Sequence, residues 1–266
     1  MVANFWLRSG DTSSANNFVG FLEDTIANFG NKKVGLVRLD SGFFQKDILD
    51  YLEQKVLNYI VAVRFTHPIQ QLIDKQDLWL EVDNGIEICD KTYQANSWGN
   101  ERRIVIVRQK IADRPNATGR TLSLFEEDEV HRNYRYSAYV TNVEYAATDV
   151  WRNYRQRGDA ENRIKELKAD FGAESFNLKG FFPTEASLIF SMIAYNLMSL
   201  FRIFVLQEKT QKTLSTLRYR TFAVGAYFEK VGDTIKLKIA LTKKRRKWFA
   251  SLWDFPIDLS QKIPIA

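Results

Sequence analysis

The order of apolar and polar residues predicts alternating strands and helices in the first quarter of the chain. Val34 to Leu39 is apolar at nearly every position, and Tyr59 to Phe65 repeats that pattern. Continuous apolar runs of this length are typical of strands buried on both faces of a sheet. Between them, Lys46 to Leu57 has its apolar residues at helical spacing. The alternation predicts a partly parallel sheet flanked by helices, which is an α/β fold.

The N-terminal residues predict a strand end and a further helix. Residues 3–8 read as the end of a strand. Thr12 or Ser13 is placed to cap a helix that runs to about Asn28, and Gly30 is a suitable C-terminal stop.

After residue 67 the pattern changes to short strands separated by turn-rich segments. We interpret 68–142 as a mostly antiparallel β insertion within the α/β core. The predicted strands are Trp79 to Val82, Gly85 to Cys89, Arg103 to Gln109 and Tyr134 to Thr141.

The C-terminal part is more helical and more basic. Pro183 is expected to open a helix over Thr184 to about Gln207. Its most apolar window, Ala186 to Val205, contains several polar residues and predicts a buried helix rather than a membrane span. Lys209 to Arg220 is expected to be partly helical, and a run of five basic residues occupies 243–247.

Composition narrows the class of protein. The chain has 266 residues, 45% of them hydrophobic, and a formal net charge of +6. This suits a globular protein with a polyanionic partner. The single cysteine, Cys89, excludes an internal disulfide, and the two histidines leave little room for a His-rich metal site. No N-terminal secretory signal is expected.

One stretch, Trp151 to Gly172, carries residues that suggest chemistry. It contains Tyr154, Arg157, Glu161 and Lys168 at the spacing Y-x2-R-x3-E-x6-K. On one helix these positions fall within an arc of about 60°, close to apolar positions that would make this face partly a core face. The stripe is either a solvated ladder of ion pairs or a metal-binding acid whose basic neighbours hold phosphates.

The four residues resemble the Y-R-E-K signature of the DDE transposases of bacterial cut-and-paste insertion sequences. Upstream, Val34 to Phe44 (VGLVRLDSGFF) is similar to the strand and turn that carry the second catalytic Asp of these enzymes. The resemblance implies that Asp40 and Glu161 are catalytic acids and ligands of Mg²⁺ (or Mn²⁺). It also implies a ribonuclease-H-like mixed sheet with flanking helices, interrupted by the β insertion.

By the same resemblance, Tyr154, Arg157 and Lys168 are expected to contact DNA phosphates. Asp40 and Glu161 should lie within roughly 4–8 Å of each other to share bridging metals. The family's first acid lies on a strand upstream of the element that the first ten residues resemble. We therefore expect an incomplete fold, corresponding to the C-terminal two-thirds of a transposase.

These observations predict four segments. Residues 1–67 form the first part of the catalytic core, 68–142 the β insertion, 143–208 the rest of the core, and 209–266 a basic C-terminal segment. The predicted function is DNA binding and metal-dependent phosphodiester cleavage and strand transfer in transposition. The chain alone is expected to be inactive, because it has two of the three acids.

Two alternatives remain open at this stage. The first is a non-catalytic DNA-binding regulator or inhibitor of a full-length transposase. The second is an unrelated Mg²⁺ nuclease whose third acid is Asp47 or Asp50. The expected partners are transposon ends and target DNA, with a possible homodimer or heterodimer with full-length transposase. No membrane partner is expected, and the predicted location is the bacterial cytoplasm, associated with the nucleoid.

Two further segments each have two interpretations. Tyr134-Arg135-Tyr136 could stack on an unpaired base, or its side chains could be ordinary strand packing. The basic run 243–247 could hold DNA phosphates without reading sequence, or protect the edge of a C-terminal hairpin.

Overall fold

A computed structural model describes residues 1–13, 15–111, 133–207 and 212–253. The chain divides into two units. The N-terminal unit is Ala3–Asp159, and the C-terminal unit is Ala160–Ala266 together with Met1–Val2. The division into four segments made from the sequence stays a prediction.

The N-terminal unit is built on a six-stranded mixed sheet with the strand order β1-β2-β6-β5-β4-β3. β1 and β2 are parallel and the other neighbours are antiparallel. The predicted mixed α/β sheet is thereby confirmed, and the last strand has its predicted bounds. The strands are β1 Val37–Leu39, β2 Tyr59–Ala62, β3 Leu80–Asp83, β4 Ile86–Tyr93, β5 Arg102–Lys110 and β6 Tyr134–Thr141.

The antiparallel strands continue the same sheet as the parallel pair. β6 lies between β2 and β5, so Val140 is the register partner of both Val61 and Ile104. The turn between β3 and β4 contains Gly85 at φ +70°, a conformation that a hairpin turn requires and that glycine adopts without steric cost. The predicted turn at 114–116 lies outside the described residues.

Helices cover both faces of this sheet. One face packs against α1, α2 and α3, and the other against α4. Because side chains alternate along a strand, neighbouring residues of β2 such as Ile60 and Val61 belong to different cores. The helices are α1 Phe18–Asn28, α2 Lys46–Gln54, α3 His67–Asp74 and α4 Ala147–Arg155.

Two predictions for the N-terminal residues are wrong. The first helix begins at Phe18 and not after Thr12 or Ser13, because Asn17 has a left-handed backbone (φ 54°) that cannot continue a helix upstream. Residues 3–8 are not in a strand. They are held by side chains instead, since the Asn4 amide and the Trp6 indole N–H both donate to Asp24 on α1.

The C-terminal unit contains helices and one hairpin. α5 (Arg157–Asp170) begins three residues before the start of this unit at Ala160, and a turn with Gly172 at φ +68° joins it to α6 (Phe181–Leu200). Ser191 on α6 donates to the Phe171 carbonyl, and the Phe171 and Tyr195 rings meet edge to face with centroids 5.4 Å apart. After α6 come a π-helical turn Phe201–Leu206, α7 Leu214–Leu217, a second π-helical turn Arg218–Phe222, the hairpin β7 Ala226–Val231 with β8 Thr234–Ile239, and α8 Lys243–Ser251.

The prediction that the long apolar helix is buried is wrong. Only Tyr195 and Ser199 are buried in α6. Within the described residues, the run Phe181–Leu206 is one helix long and apolar enough to cross a membrane by length and composition, which alone is a weak criterion. Pro183 lies in the first turn of α6, where its missing N–H costs nothing.

Candidate functional site

Asp40 directly follows β1, at the carboxyl end of a strand that pairs in parallel with β2. It caps the short 3-10 turn Ser41–Phe43, where its Oδ1 accepts the Gly42 N–H at 2.9 Å. The capping interaction fixes the carboxylate in one orientation, while its side chain is still 45% exposed. In sheets with parallel strands, this end is where ligands bind.

A hydrogen bond ties β1 to the helix that covers it. The Arg38 guanidinium donates to the backbone carbonyl of Asn153 on α4 at 2.7 Å. Residues two apart on a strand share a face, so Asp40 is directed toward the same side of the sheet as Arg38. This places the carboxylate near the end of α4.

Arg157 forms an ion pair with Asp40 across 117 residues of sequence. Its Nη2 lies 3.2 Å from Asp40 Oδ2, and its side chain is 23% exposed. Two residues that the sequence linked only through a family resemblance are thus in direct contact. The pair combines a carboxylate with a planar guanidinium, the group best suited to bind a phosphate through two hydrogen bonds.

Tyr154 lies one turn before Arg157, at the end of α4. Its ring centroid is 4.5 Å from that of Tyr139 on β6. Burial raises the pKa of the Tyr139 hydroxyl, which therefore stays protonated. The pair of rings fixes the end of α4 on the sheet, and thereby the start of the segment that carries Arg157.

The spacing predicted one continuous helix over Trp151 to Gly172. This prediction is wrong, because the stretch is divided between two helices. α4 ends at Arg155, Gln156 is a turn, and α5 begins at Arg157. The Asp159 N–H bonds to the Gln156 carbonyl, three residues back, and Gly158 weakens the helix at this point. Tyr154 and Arg157 are therefore on different helices, and the arc of 60° does not apply to all four residues.

Glu161 and Lys168 are exposed residues of α5 in the C-terminal unit. Lys168 Nζ is 4.0 Å from a Glu174 carboxylate oxygen, a solvated pair. The expectation that this helix face is partly core is wrong, because α5 has no buried residue and Ile164 is 51% exposed. The proximity of Glu161 to Asp40 stays a prediction.

The described residues contain no group of three or more His, Cys, Asp or Glu side chains that could hold a metal ion. Asp50, one candidate for a third acid near Asp40, is instead paired with Lys46 and Arg102. As the described residues stand, they do not fit a two-metal centre.

Sequence reasoning missed a buried charged cluster at Arg102. Its guanidinium bonds to Glu53 at 2.7 Å and to Asp50 at 2.5 Å, and it lies 4.8 Å from the centre of the Trp98 ring. Burial lowers the pKa of Arg102, but the bonds to the two carboxylates outweigh it and raise the pKa overall. Counting back by twos along β5 from Ile106 and Ile104 puts Arg102 on the buried face, which was the signal available in the sequence.

A cavity of about 320 Å³ lies beside this cluster. Tyr59 and Arg102 line it, together with Thr141 and Asn142. Tyr59 begins β2, whereas Asp40 follows the end of the parallel strand β1. The cavity is therefore at the opposite end of the strands from Asp40, and it is not the site that the sequence predicted.

The contacts of segments 134–136 and 243–247 distinguish between their two interpretations. Tyr136 is buried in a core cluster and Tyr134 packs against it, so strand packing is the interpretation that holds. Arg108 lies 4.6 Å from the Tyr134 ring centre, which occupies that ring further. The basic run 243–247 does not protect a hairpin edge, since it forms the first half of α8.

Comparison with known families gives one match that covers nearly the whole chain. The family model described as transposase DDE domain group 1 matches residues 1–255. A search of curated proteins gave no match. Members of this family act on DNA in transposition, and the family in general uses a divalent metal. The chain belongs to the DDE transposases.

Proposed function

We propose that this chain binds DNA at the surface around Asp40 and Arg157, and that Asp40 and Glu161 are two of the three acids of a transposase centre. The observation that carries the proposal is the ion pair between Arg157 and Asp40 at the carboxyl end of β1. It puts a phosphate-binding group beside an acid in the position where sheets of this kind place their chemistry.

Arg157 has the role of holding a DNA phosphate. Its partner Asp40 is 45% exposed, so the pair is open to solvent and to a polyanion. The guanidinium can exchange a carboxylate for a phosphate at a small cost in free energy. The carboxylate is planar and the phosphate tetrahedral, but each has oxygens that can accept two parallel N–H bonds. Binding of DNA to Arg157 would release the Asp40 carboxylate for its proposed role as a metal ligand.

Tyr154 and Lys168 complete the proposed DNA contacts. The Tyr154 ring packs on Tyr139 at the end of α4, next to Arg157, and its hydroxyl is the group that we propose to contact a phosphate oxygen. Lys168 is 53% exposed and acts as a mobile point charge. Both proposals extend the family's Y-R-E-K pattern to this chain.

Mg²⁺ or Mn²⁺ is the proposed ion, because hard cations prefer carboxylate oxygens such as those of Asp40 and Glu161. Two carboxylates hold such an ion weakly, and positioning a second ion needs a further acid. We therefore propose that these 266 residues alone do not cleave DNA. The proposed location of this activity is the bacterial cytoplasm, on the nucleoid.

The second candidate is a non-catalytic regulator that binds DNA and pairs with a full-length transposase, as homodimer or heterodimer. The observation that favours it is the lack of a cluster of three acids among the described residues. Both candidates require the same DNA-binding surface. They differ in whether adding a third acid to the chain gives DNA cleavage.

The test has a binding part and a cleavage part. Arg157→Ala/Lys168→Ala should weaken binding to a labelled duplex. The matched variant Arg152→Ala/Lys165→Ala, with the same charge change at one exposed position of α4 and one of α5, should bind as the parent does. Equal binding by all three proteins would remove the proposed phosphate contacts.

For cleavage, supercoiled plasmid is incubated with the chain and Mg²⁺ or Mn²⁺. No nicking is expected from the chain alone. A strand that ends in Asp is then taken from a related transposase and fused upstream of this chain. Nicking should appear in the fused protein, and it should be lost when Asp40 is replaced. Nicking by the unfused chain would contradict the proposal and favour an independent nuclease.

A further inference from the structure

α8 is an amphipathic helix with one face anchored in the C-terminal unit. Phe249 is buried, and Trp248 packs near it with ring centroids 6.5 Å apart. Arg245 donates to the Arg220 carbonyl, and the Arg220 guanidinium lies 4.6 Å from the centre of the Trp248 ring. The helix is thus fixed to the segment Arg218–Phe222 by one cation–π contact and one hydrogen bond.

The opposite face of α8 is mostly basic, with the exposed small residues Ala250 and Ser251 among the charged ones. At about 100° per residue, Lys243, Lys244, Arg246 and Lys247 spread over an arc of about 160°, centred opposite Phe249 and Arg245. All four are exposed. We call these four residues the α8 basic face.

In the part of the chain that the structure describes, no carboxylate pairs with the lysines of this face. Within the described part of the chain, Lys243, Lys244 and Lys247 form no ion pair, and the first turn of α8 contains no acid. Like charges at i,i+3 and i,i+4 repel, and cations near a helix N-terminus oppose its dipole. The helix keeps an electrostatic strain that a bound polyanion would relieve.

We propose that the α8 basic face is a second DNA-backbone contact surface, in addition to the surface around Arg157. The inference rests on the proposed function for its DNA ligand, and it adds a site in the C-terminal unit. Lysine and arginine on a solvated face contact phosphates without reading bases, so this surface adds affinity and not sequence preference.

The chemistry of the helix favours nucleic acid over a membrane surface. Helices that lie in a bilayer interface bury aromatic and aliphatic side chains in the lipid. In α8 the aromatic residues Trp248 and Phe249 are turned toward the protein. The exposed face offers mainly charge, with only the small side chains of Ala250 and Ser251 between the basic residues, and this suits a row of phosphates.

The test compares salt dependence of DNA binding by the full chain. Each phosphate contact adds about 0.9 to the slope of log K against log salt. In Lys243→Gln/Lys244→Gln/Lys247→Gln the slope should therefore fall in magnitude by up to about 2.7, and affinity at low salt should drop at least tenfold. Fluorescence anisotropy with a labelled 30-base-pair duplex measures both.

Two variants act as controls. Lys32→Gln/Lys33→Gln/Lys91→Gln removes the same charge from exposed lysines of the N-terminal unit and should change the slope far less. Lys243→Arg/Lys244→Arg/Lys247→Arg keeps the charge and should keep the slope. Equal losses in the two glutamine variants, or loss in the arginine variant, would overturn the inference.

The outcome separates this inference from the proposed function. If the α8 glutamine variant binds as the parent does while Arg157→Ala/Lys168→Ala binds weakly, the second surface is wrong and the first stands. If neither change weakens binding, both are wrong. The assignment to DNA would be overturned by one further result. Anionic phospholipid vesicles would have to bind the parent as strongly as the duplex does, and fail to bind the α8 glutamine variant.

Discussion

The two units of this chain differ in how their apolar residues are used. In the N-terminal unit both faces of the sheet are covered, and residues such as Leu49, Leu52 and Ile106 are fully buried. In the C-terminal unit α6 has two buried residues, and the strands of the β7–β8 hairpin have none. Similar apolar content therefore gives a closed core in one unit and exposed apolar surface in the other.

The difference teaches that apolar spacing identifies an element but not its burial. A helix or strand is buried only if another element supplies the facing surface. A two-stranded hairpin alone is only marginally stable, whereas a sheet of three or more strands with a covered face can be stable on its own. We expect the N-terminal unit to hold most of the stability of the chain.

The largest expected effect comes from one substitution made in both units. Leu52→Ala on α2 removes a side chain with 0% exposure and should lower the free energy of unfolding by about 2–5 kcal/mol. Leu197→Ala on α6, where the side chain is 62% exposed, should change it by less than about 0.5 kcal/mol. Urea denaturation followed by circular dichroism measures both, and equal losses would contradict the comparison.

An ion pair from each unit gives the next contrast. Arg102→Ala leaves Glu53 and Asp50 without their buried partner and should cost about 3 kcal/mol of stability. Lys238→Ala removes a pair with Glu229 whose two side chains are both solvated, and should cost less than about 1 kcal/mol. Thermal unfolding of the two variants distinguishes the cases, and a larger loss for Lys238→Ala would reverse the order of the units.

A pH dependence sharpens the account of the N-terminal unit. Burial raises the pKa of Glu53, but hydrogen bonds from Arg102 and Tyr59 outweigh it and lower the pKa overall. A lowered pKa contributes stability above the unfolded value of about 4.3, and this is lost as pH falls through the folded value. The parent should therefore lose stability below about pH 4.

The matched variant for this effect is Arg102→Met. Without the guanidinium, the Glu53 carboxylate is partly buried and has lost its cation, so protonation should help rather than harm. Its stability should fall less than that of the parent between pH 6 and pH 3. Parallel urea-denaturation profiles at the two pH values would show that the cluster does not control this dependence.

A small effect on stability is also expected at the candidate site. Arg157→Ala breaks a partly solvated pair with Asp40 and should change the free energy of unfolding by less than about 1 kcal/mol. Differential scanning calorimetry should show a nearly unchanged melting temperature. A large drop would mean that Arg157 is a structural residue rather than a ligand-binding one.

Much of the N-terminal unit could be predicted from the sequence, because most of its strands lie within short apolar or partly alternating runs. Tyr134–Thr141 was predicted to the residue, and Asp40 was placed at the end of its strand. The break at Gln156 could not be predicted, because helical spacing continues through it. It depends on Gly158, a weak helix former next to the turn at Gln156.

Other features depend on tertiary contacts that spacing does not contain. The exposure of α6 could not be predicted, since its composition is that of a buried helix. The contact between Arg157 and Asp40 was accessible only through the family resemblance, because 117 residues separate them. The basic run 243–247 could have been read as a helix from the position of Phe249, one turn beyond Arg245.

The central claim, that Arg157 beside Asp40 binds DNA phosphate, is tested most directly by the salt dependence of duplex binding for Arg157→Ala against Arg152→Ala. Arg152 is an exposed arginine five residues earlier, on α4, and serves as the control. We expect a slope smaller in magnitude by about 0.9 for Arg157→Ala, and an unchanged slope for Arg152→Ala. Identical slopes for the two variants and the parent would contradict it.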